Sequence, residues 1–314
     1  MQKNIHIFGS LNMDLVCRTP RLPQPGETLL GTGFATVPGG KGANQAVAVA
    51  RLGAPTAMVG RVGDDAFGRK LLQSLDAAGV ATSGVAIDEG SPTGVAAIAV
   101  DQAGQNTIVV VSGTNGQVGD GDVDRLRSQL LPGDLLLLQL EVPLPAVIAA
   151  AQAAKICGVT VMLDPAPANA GLTGDLAADC FAAVDILTPN QIEASQITGL
   201  PVTDIATATA AARQLVQRGV GMAVVKLGGQ GAVVATADTT FHQPALPVTV
   251  VDTVAAGDAF NGGLAVGLVE GMAVAEAVQF ATAVAAAAVM QPGAQGAMPT
   301  RLQVMALQVR LNHL

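Results

Sequence analysis

DLLLLQLEVPLPAVIAAAQAAKICGVTVMLDPAP, residues 134–167, holds the pattern that decides the fold. Residues 134–141 place five Leu in a six-residue run, as in a strand buried on both faces. Residues 143–158 then predict a helix, and residues 160–167 return to an apolar strand pattern. A strand, a helix and a second strand in one short span imply a parallel sheet covered by helices.

Outward from this unit the alternation continues. Residues 185–190 read as a strand, 191–199 as the start of a helix and 206–219 as another helix. Residues 222–228 and 231–237 read as strands, and residues 256–290 as mostly two helices. Towards the N-terminus, residues 4–11 and 55–63 read as strands, and 41–53 as an Ala-rich helix stopped at Gly53. In residues 67–79 the apolar positions 67, 71, 75 and 78 share one helix face, with Gly79 as the cap. Two segments break the pattern. Residues 17–40 are rich in Pro and Gly, with Thr alternating with apolar residues, and residues 92–113 read as strand, turn at 101–104, strand. Segments 15–38 and 92–113 together predict a small sheet apart from the main layer. The expected fold class is therefore a single α/β domain over residues 1–314: a three-layer α/β/α arrangement with a central, mostly parallel sheet and a small β-sheet appended.

Composition narrows the function. Half of the 314 residues are hydrophobic, Trp and Tyr are absent and only seven Phe occur, so the core must be aliphatic and no base stacks on Trp or Tyr. The net charge is −8, and the 16 Lys and Arg are scattered without a run of five. Neither a nucleic-acid surface nor an anionic-membrane surface is expected. Cys17, Cys157 and Cys180 are odd in number and widely spaced, which fits small buried hydrophobes in a reducing cytosol. The N-terminus lacks the pattern of a signal peptide, and residues 280–290, the most apolar late run, are too short to span a bilayer. A cytoplasmic protein is expected. His6, His242 and His313 show no metal-ligand spacing.

In open α/β sheets ligands bind at the carboxyl ends of strands, so the segments after each strand carry the chemistry. DTVAAGDAFNGGL (252–264) leads small residues, Ala255, Ala256 and Gly257, into a helix start, where free N–H groups make an anion site. Asp258 beside it reads either as a helix N-cap or as a base for an attacking hydroxyl. GGKGANQA (39–46) reads as a hinge into a helix with Asn44 facing a ligand, or as a plain loop-to-helix junction. It is not a Walker loop, because Lys41 is followed by Gly and position 35 is Ala. GSLNMD (9–14) sets Asn12 and Asp14 on one side of the chain, suited to vicinal hydroxyls or simply to a polar turn. TPNQIEA (188–194) gives Asn190 and Glu193, a seat for hydrated Mg²⁺ or a helix cap. KLGGQG (226–231) is a Gly-rich turn that either admits a nucleotide or only reverses the chain.

Taken together, GSLNMD, PGET (25–28), GGKGANQA, VGDDAFG (62–68), QLEVP (139–143), DPAPA (164–168), TPNQIEA and DTVAAGDAFNGG stand in an order and spacing that resembles the ribokinase family of carbohydrate kinases, the phosphofructokinase-B type, over about residues 4–300. The resemblance implies an ATP-dependent sugar kinase whose small sheet is a lid, and a homodimer formed through that lid. It matches Asn12, Asp14, Gly39, Gly40, Lys41, Asn44 and Glu141 to sugar-binding positions. Asn190, Lys226, Leu227, Gly228, Gly229, Gln230, Gly231, Gly257 and Thr282 match positions around ATP. Asp258 matches the catalytic base, Ala255, Ala256 and Gly257 the anion hole, and Glu193 the acidic position tied to Mg²⁺ and phosphate. Asp252, Val254, Ala288, Gln291, Gly293 and Ala297 match a monovalent-cation site, expected to take K⁺. The family often carries Ser at the position of Ala297, Arg or Lys at Gln291, His or Asn at Thr282, Thr at Lys226 and Asn at Asp164. The expected reaction is 5-phosphorylation of D-ribose. Fructose, a sugar acid, deoxyribose or a nucleoside are the alternative substrates, and a catalytically silent sugar-binding protein is the alternative class.

Overall fold

The computed structural model describes residues 3–167 and 179–312; Ala168 of the DPAPA motif and His313 lie outside them. Among the described residues, nine strands form one sheet in the order β13-β12-β11-β10-β9-β8-β1-β4-β5. They are β1 (Ile5–Phe8), β4 (Thr56–Gly63), β5 (Ala81–Asp88), β8 (Leu135–Gln139), β9 (Thr160–Asp164), β10 (Ile186–Leu187), β11 (Met222–Lys226), β12 (Ala232–Thr236) and β13 (Thr240–Gln243). All neighbours pair in parallel except β11 with β12 and β12 with β13.

The Leu run explains the layering. Leu135 and Leu137 of β8 join the core packed under α1 (Lys41–Arg51), α7 (Ala256–Val269) and α8 (Val274–Ala288). Leu136 and Leu138 join the opposite core, under α3 (Asp120–Arg127), α4 (Leu144–Ile156), α5 (Gln191–Thr198) and α6 (Ile205–Gln217). A strand's side chains alternate, so a run of Leu feeds both faces at once. The remaining helices are α2 (Ala66–Ala77) and α9 (Arg301–Asn312).

A second sheet of four strands has the order β3-β2-β6-β7, built from β2 (Asn12–Arg18), β3 (Gly33–Gly39), β6 (Gly94–Val100) and β7 (Asn106–Val111). Both segments read as sheet from the sequence supply it. Between β2 and β3 the chain holds Pro20, Pro23 and Pro25, which cannot donate to a ladder, and no strand forms there.

Some boundaries differ from the sequence reading. The strand expected over 4–11 ends at Phe8, because the chain turns into the second sheet at Asn12. The strand expected over 185–190 shrinks to two residues, since Pro189 has no donor and Asn190 already caps α5. The elements β5, α3, β13 and α9 carry no clear signal in the sequence pattern. β5 alternates weakly, with Ser83 and Gly84 in its middle, and α9 leaves Leu302, Met305 and Val309 exposed, so neither carries a clean period.

Candidate active site

The carboxyl ends of β1, β8, β9, β10 and β11 converge on one side of the sheet, as the parallel order dictates. They deliver Asn12, Glu141, Asp164, Asn190 and Lys226 in turn. The GG pair works by close approach. Gly40 has φ +88°, and a Cβ there would stand 2.7 Å from the Asn12 nitrogen; at Gly42 it would stand 2.7 Å from the Ser10 nitrogen. Only glycine lets α1 start against the exit of β1.

Asp258 is the third residue of α7, which begins after Ala255. Ala255 has φ 56°, and it is the one non-glycine with positive φ among the described residues. Such a conformation costs about 1–3 kcal/mol and concentrates at functional sites. The helix has no side-chain cap, so the reading of Asp258 as an N-cap is wrong. Its carboxylate turns inward instead, where Oδ2 accepts from Asn44 Nδ2 at 3.0 Å and Oδ1 from Gln45 Nε2 at 3.1 Å. The N–H of Ala256 is engaged by the Thr253 carbonyl at 3.2 Å. The first turn therefore offers an anion Gly257 and Asp258 more than Ala256.

On one side of Asp258 lie Asn12, Asp14 and Glu141. Glu141 Oε2 accepts from Ser10 Oγ at 2.5 Å, Asn12 Nδ2 at 3.4 Å and the Lys41 N–H at 3.1 Å. Asn12 Oδ1 accepts from Asn115 Nδ2 at 2.7 Å, and Asn115 also bridges the backbone of Leu11. A Cβ on Gly39 would overlap the Asp14 carboxylate, so these groups crowd one small polar pocket. Burial pushes Asp14 up to about 7, with Glu141 and Asp258 adding to the shift.

On the other side a cleft of about 440 Å³ is lined by Lys41, Asp164, Asn190, Glu193, Lys226, Gly228 and residues 255–258. Asn190 caps α5, and Glu193 completes a capping box, its carboxylate accepting from the Asn190 N–H and Nδ2 at 2.8 Å each. The capping reading of this pair is thus correct. Burial, with Asp164 nearby, still holds Glu193 above the usual carboxylate range. Burial works against the Lys41 ammonium, but Asp258, Asp164, Glu141 and Glu193 around it keep it charged well above the ordinary lysine range. Burial raises Asp258 above its ordinary value, Lys41 opposes this, and Asp164 reinforces it.

Not every expected residue reaches the cleft. Leu227 is buried in the core, and Gly228 lines the cleft while Gly231 closes the turn at φ 92°. Thr282 is buried in α8 with its hydroxyl on the Val278 carbonyl at 2.9 Å. The loop of Asp252 and Val254 meets that of Gly293, whose N–H donates to Asp252 Oδ2 at 2.8 Å. Gln291 and Ala297 line a separate depression with Arg51 and Arg310. Sequence reasoning missed Gln45 and Asn115. Gln45 is a lone polar residue in an Ala-rich helix beside Asn44, which was a usable signal; Asn115 sits in a short turn without one.

Residues 2–301 match the family described as pfkB family carbohydrate kinase. The ribokinase of Haemophilus influenzae is 38% identical over 305 residues, covering 97% of this chain and 98% of that protein. The deoxyribokinase of Salmonella typhimurium is 38% identical over 297 residues, covering 95% and 96%. The structure of Arabidopsis thaliana ribokinase complexed with ribose and ATP superposes with a TM-score of 0.89 at 35% identity, covering 98% and 99% of the two chains. The chain belongs to the pfkB family of carbohydrate kinases. It is a phosphotransferase with the three-layer fold and small second sheet that the sequence predicted.

Proposed function

We propose that this chain transfers the γ-phosphoryl group of ATP to the 5-hydroxyl of D-ribose, with Asp258 as general base. The observation that carries the reading is the position of one carboxylate. Asp258 lies buried between a pocket of hydroxyl-gripping groups, Asn12, Asp14, Asn44 and Glu141, and an open cleft that holds Lys41 and Lys226 beside a helix start. A hydroxyl held in the pocket would give its proton to Asp258 as it attacks phosphorus in the cleft. The first turn of α7 and the two ammonium groups would balance charge on the transferring group. The similarity to a ribokinase complexed with ribose and ATP supports the choice of both substrates.

Among the described residues, no group of three His, Cys, Asp or Glu side chains could hold a metal by itself. Glu193 lines the cleft as a single carboxylate of the kind Mg²⁺ uses together with waters and substrate phosphates. Glu193 would hold it, and the ion would neutralise phosphate charge. The hydrogen bond from the Gly293 N–H to Asp252 Oδ2 brings two of the six expected cation-site positions together, which supports a K⁺ site to which Ala297 would add no hydroxyl. The second sheet would act as a lid that excludes water. Its strand β7 exposes Ile108, Val109, Val110 and Val111, and Phe34 on β3 is 67% exposed, which supports a homodimer paired through the lids. No described helix is long and apolar enough to cross a membrane. Only Cys180 is the buried small hydrophobe expected of all three cysteines, since Cys17 is exposed and Cys157 half-buried; an exposed free thiol at Cys17 supports a reducing, cytoplasmic location.

Deoxyribose is the second reading, because the deoxyribokinase relative has the same 38% identity as the ribokinase one, over a slightly shorter stretch. Release of ADP with ribose, deoxyribose, fructose, a sugar acid and adenosine, with and without K⁺, separates the readings. Ribose is expected to give the highest kcat/KM. Turnover of adenosine without ribose would overturn the assignment, and ribose binding without ATP turnover would mark a silent binding protein.

A further inference from the structure

Behind Asp258 runs a buried polar chain whose middle members, Gln45 and Asp164, have no part in the proposed reaction. Gln45 is fully buried on the first turns of α1. Its Nε2 stands 3.1 Å from Asp258 Oδ1 and 3.1 Å from Asp164 Oδ2. An amide nitrogen carries two hydrogens, so one serves each carboxylate. The opposite end is fixed: Oε1 accepts from the fully buried Gln139 Nε2 at 2.6 Å. An amide flip would aim Oε1 at two carboxylates, so this orientation is set. The second oxygen of Asp164 pairs with Lys226 Nζ at 3.1 Å. A Cβ on Gly257 would lie 3.4 Å from the same Nζ, which puts that ammonium at the first turn of the helix carrying Asp258. The path from the nucleotide wall to the base is thus Lys226, Asp164, Gln45, Asp258.

We propose that Gln45 is the positioning residue of Asp258, and that it joins the base to the Asp164–Lys226 pair so that charge on the nucleotide wall tunes it. The proposal rests on the assignment of Asp258 as the base. The physical case is that a carboxylate with one oxygen tied to Asn44 and the other to Gln45 is held in a single rotamer. Small misplacements of a reacting group are costly in rate. Asp164 raises the proton affinity of Asp258 by like charge, and Lys226 counters by pairing with Asp164. The other charged groups facing the base are Lys41 from α1 and Asp14 from β2, while Glu141 after β8 and Glu193 from α5 act on Lys41. All of them stay in place in the variants below.

The test is the pH profile of kcat/KM with ATP and D-ribose for Gln45→Leu, Asp164→Asn and Lys226→Met. Gln45→Leu removes a donor to the ionised base. It should lower kcat at least about tenfold, leave both KM values within about threefold, and move the acid limb to higher pH. Asp164→Asn removes a neighbouring negative charge and should move that limb to lower pH, by roughly one unit. Lys226→Met should move it to higher pH. A purely structural chain would lower the melting temperature and the active fraction while leaving the acid limb where it is; unmoved limbs, or limbs moving in one common direction, overturn the proposal. If Gln45→Leu fails to fold, the opposed shifts of the near-isosteric Asp164→Asn and of Lys226→Met decide alone. Asp258→Asn separates the two levels. Full turnover in that variant sinks the base assignment, whereas loss of turnover together with unmoved limbs sinks only the role of Gln45.

Discussion

Replacing Asp258 by Asn should abolish turnover while leaving the fold as stable as before, or more so. A general base contributes about 10² to 10⁴ in rate, which is about 2.7–5.5 kcal/mol of barrier. The variant keeps the shape of the side chain and loses its proton affinity. The stability arm follows from the surroundings. Burial holds the Asp258 carboxyl above its ordinary value, Lys41 opposes that shift and Asp164 adds to it. A folded-state value above the unfolded one means that the native state takes up the proton more readily. Ionisation above that pH therefore costs stability, and the cost fades as pH falls towards the unfolded value. Asn carries no such cost. Its oxygen still accepts from Gln45 and its N–H₂ meets the Asn44 donor, but Asn44 Oδ1 is buried and has no partner among the described residues. Flipping the Asn44 amide gives the new donor an acceptor. Coupled release of ADP with ribose and thermal melting at pH 8 and pH 5 check both arms. A kcat within tenfold of the unmodified enzyme would refute the base assignment. A marked fall in melting temperature at pH 8 would show that the attraction of Lys41 outweighs burial.

Three further outcomes follow from single residues. Asp14→Asn should stabilise the ligand-free protein more at pH 8 than at pH 5, by at least about 1 kcal/mol, because Asp14 is pushed up to about 7 by burial, Glu141 and Asp258; urea midpoints at the two pH values measure it. Gly42→Ala should cost about 1–3 kcal/mol and reduce kcat/KM for the sugar, since its Cβ meets backbone atoms of Ser10 at 2.7 and 2.8 Å; an unchanged urea midpoint would contradict the close packing. Glu193→Gln should keep the capping box at Asn190, because Gln serves at the third helical position as Glu does, and should raise the Mg²⁺ concentration needed for half-maximal rate, read from a titration of activity against Mg²⁺.

The sequence by itself determined the layering. Five Leu in a six-residue run can only feed two cores, and the flanking strand–helix alternation then imposes a parallel sheet. It also marked GGKGANQA and DTVAAGDAFNGG, because Gly and Asp at a helix start have few physical uses. The tertiary structure decided what the local pattern left open. Asp258 could have been a cap or a base, and the choice fell to Asn44 and Gln45, more than 200 positions away in the chain, which turn its carboxylate inward. Glu193, by contrast, proved to be part of a cap while still lining the cleft. Thr282 carries nothing in the sequence that separates a cleft residue from a core one, and only packing seats it inside α8. Gln45, Asp164 and Lys226 fall on three elements brought together by the sheet order, so their contact is a property of the fold and of no local pattern. Periodicity reports which face of an element is buried; which distant side chains share that buried space is fixed only when the layers close.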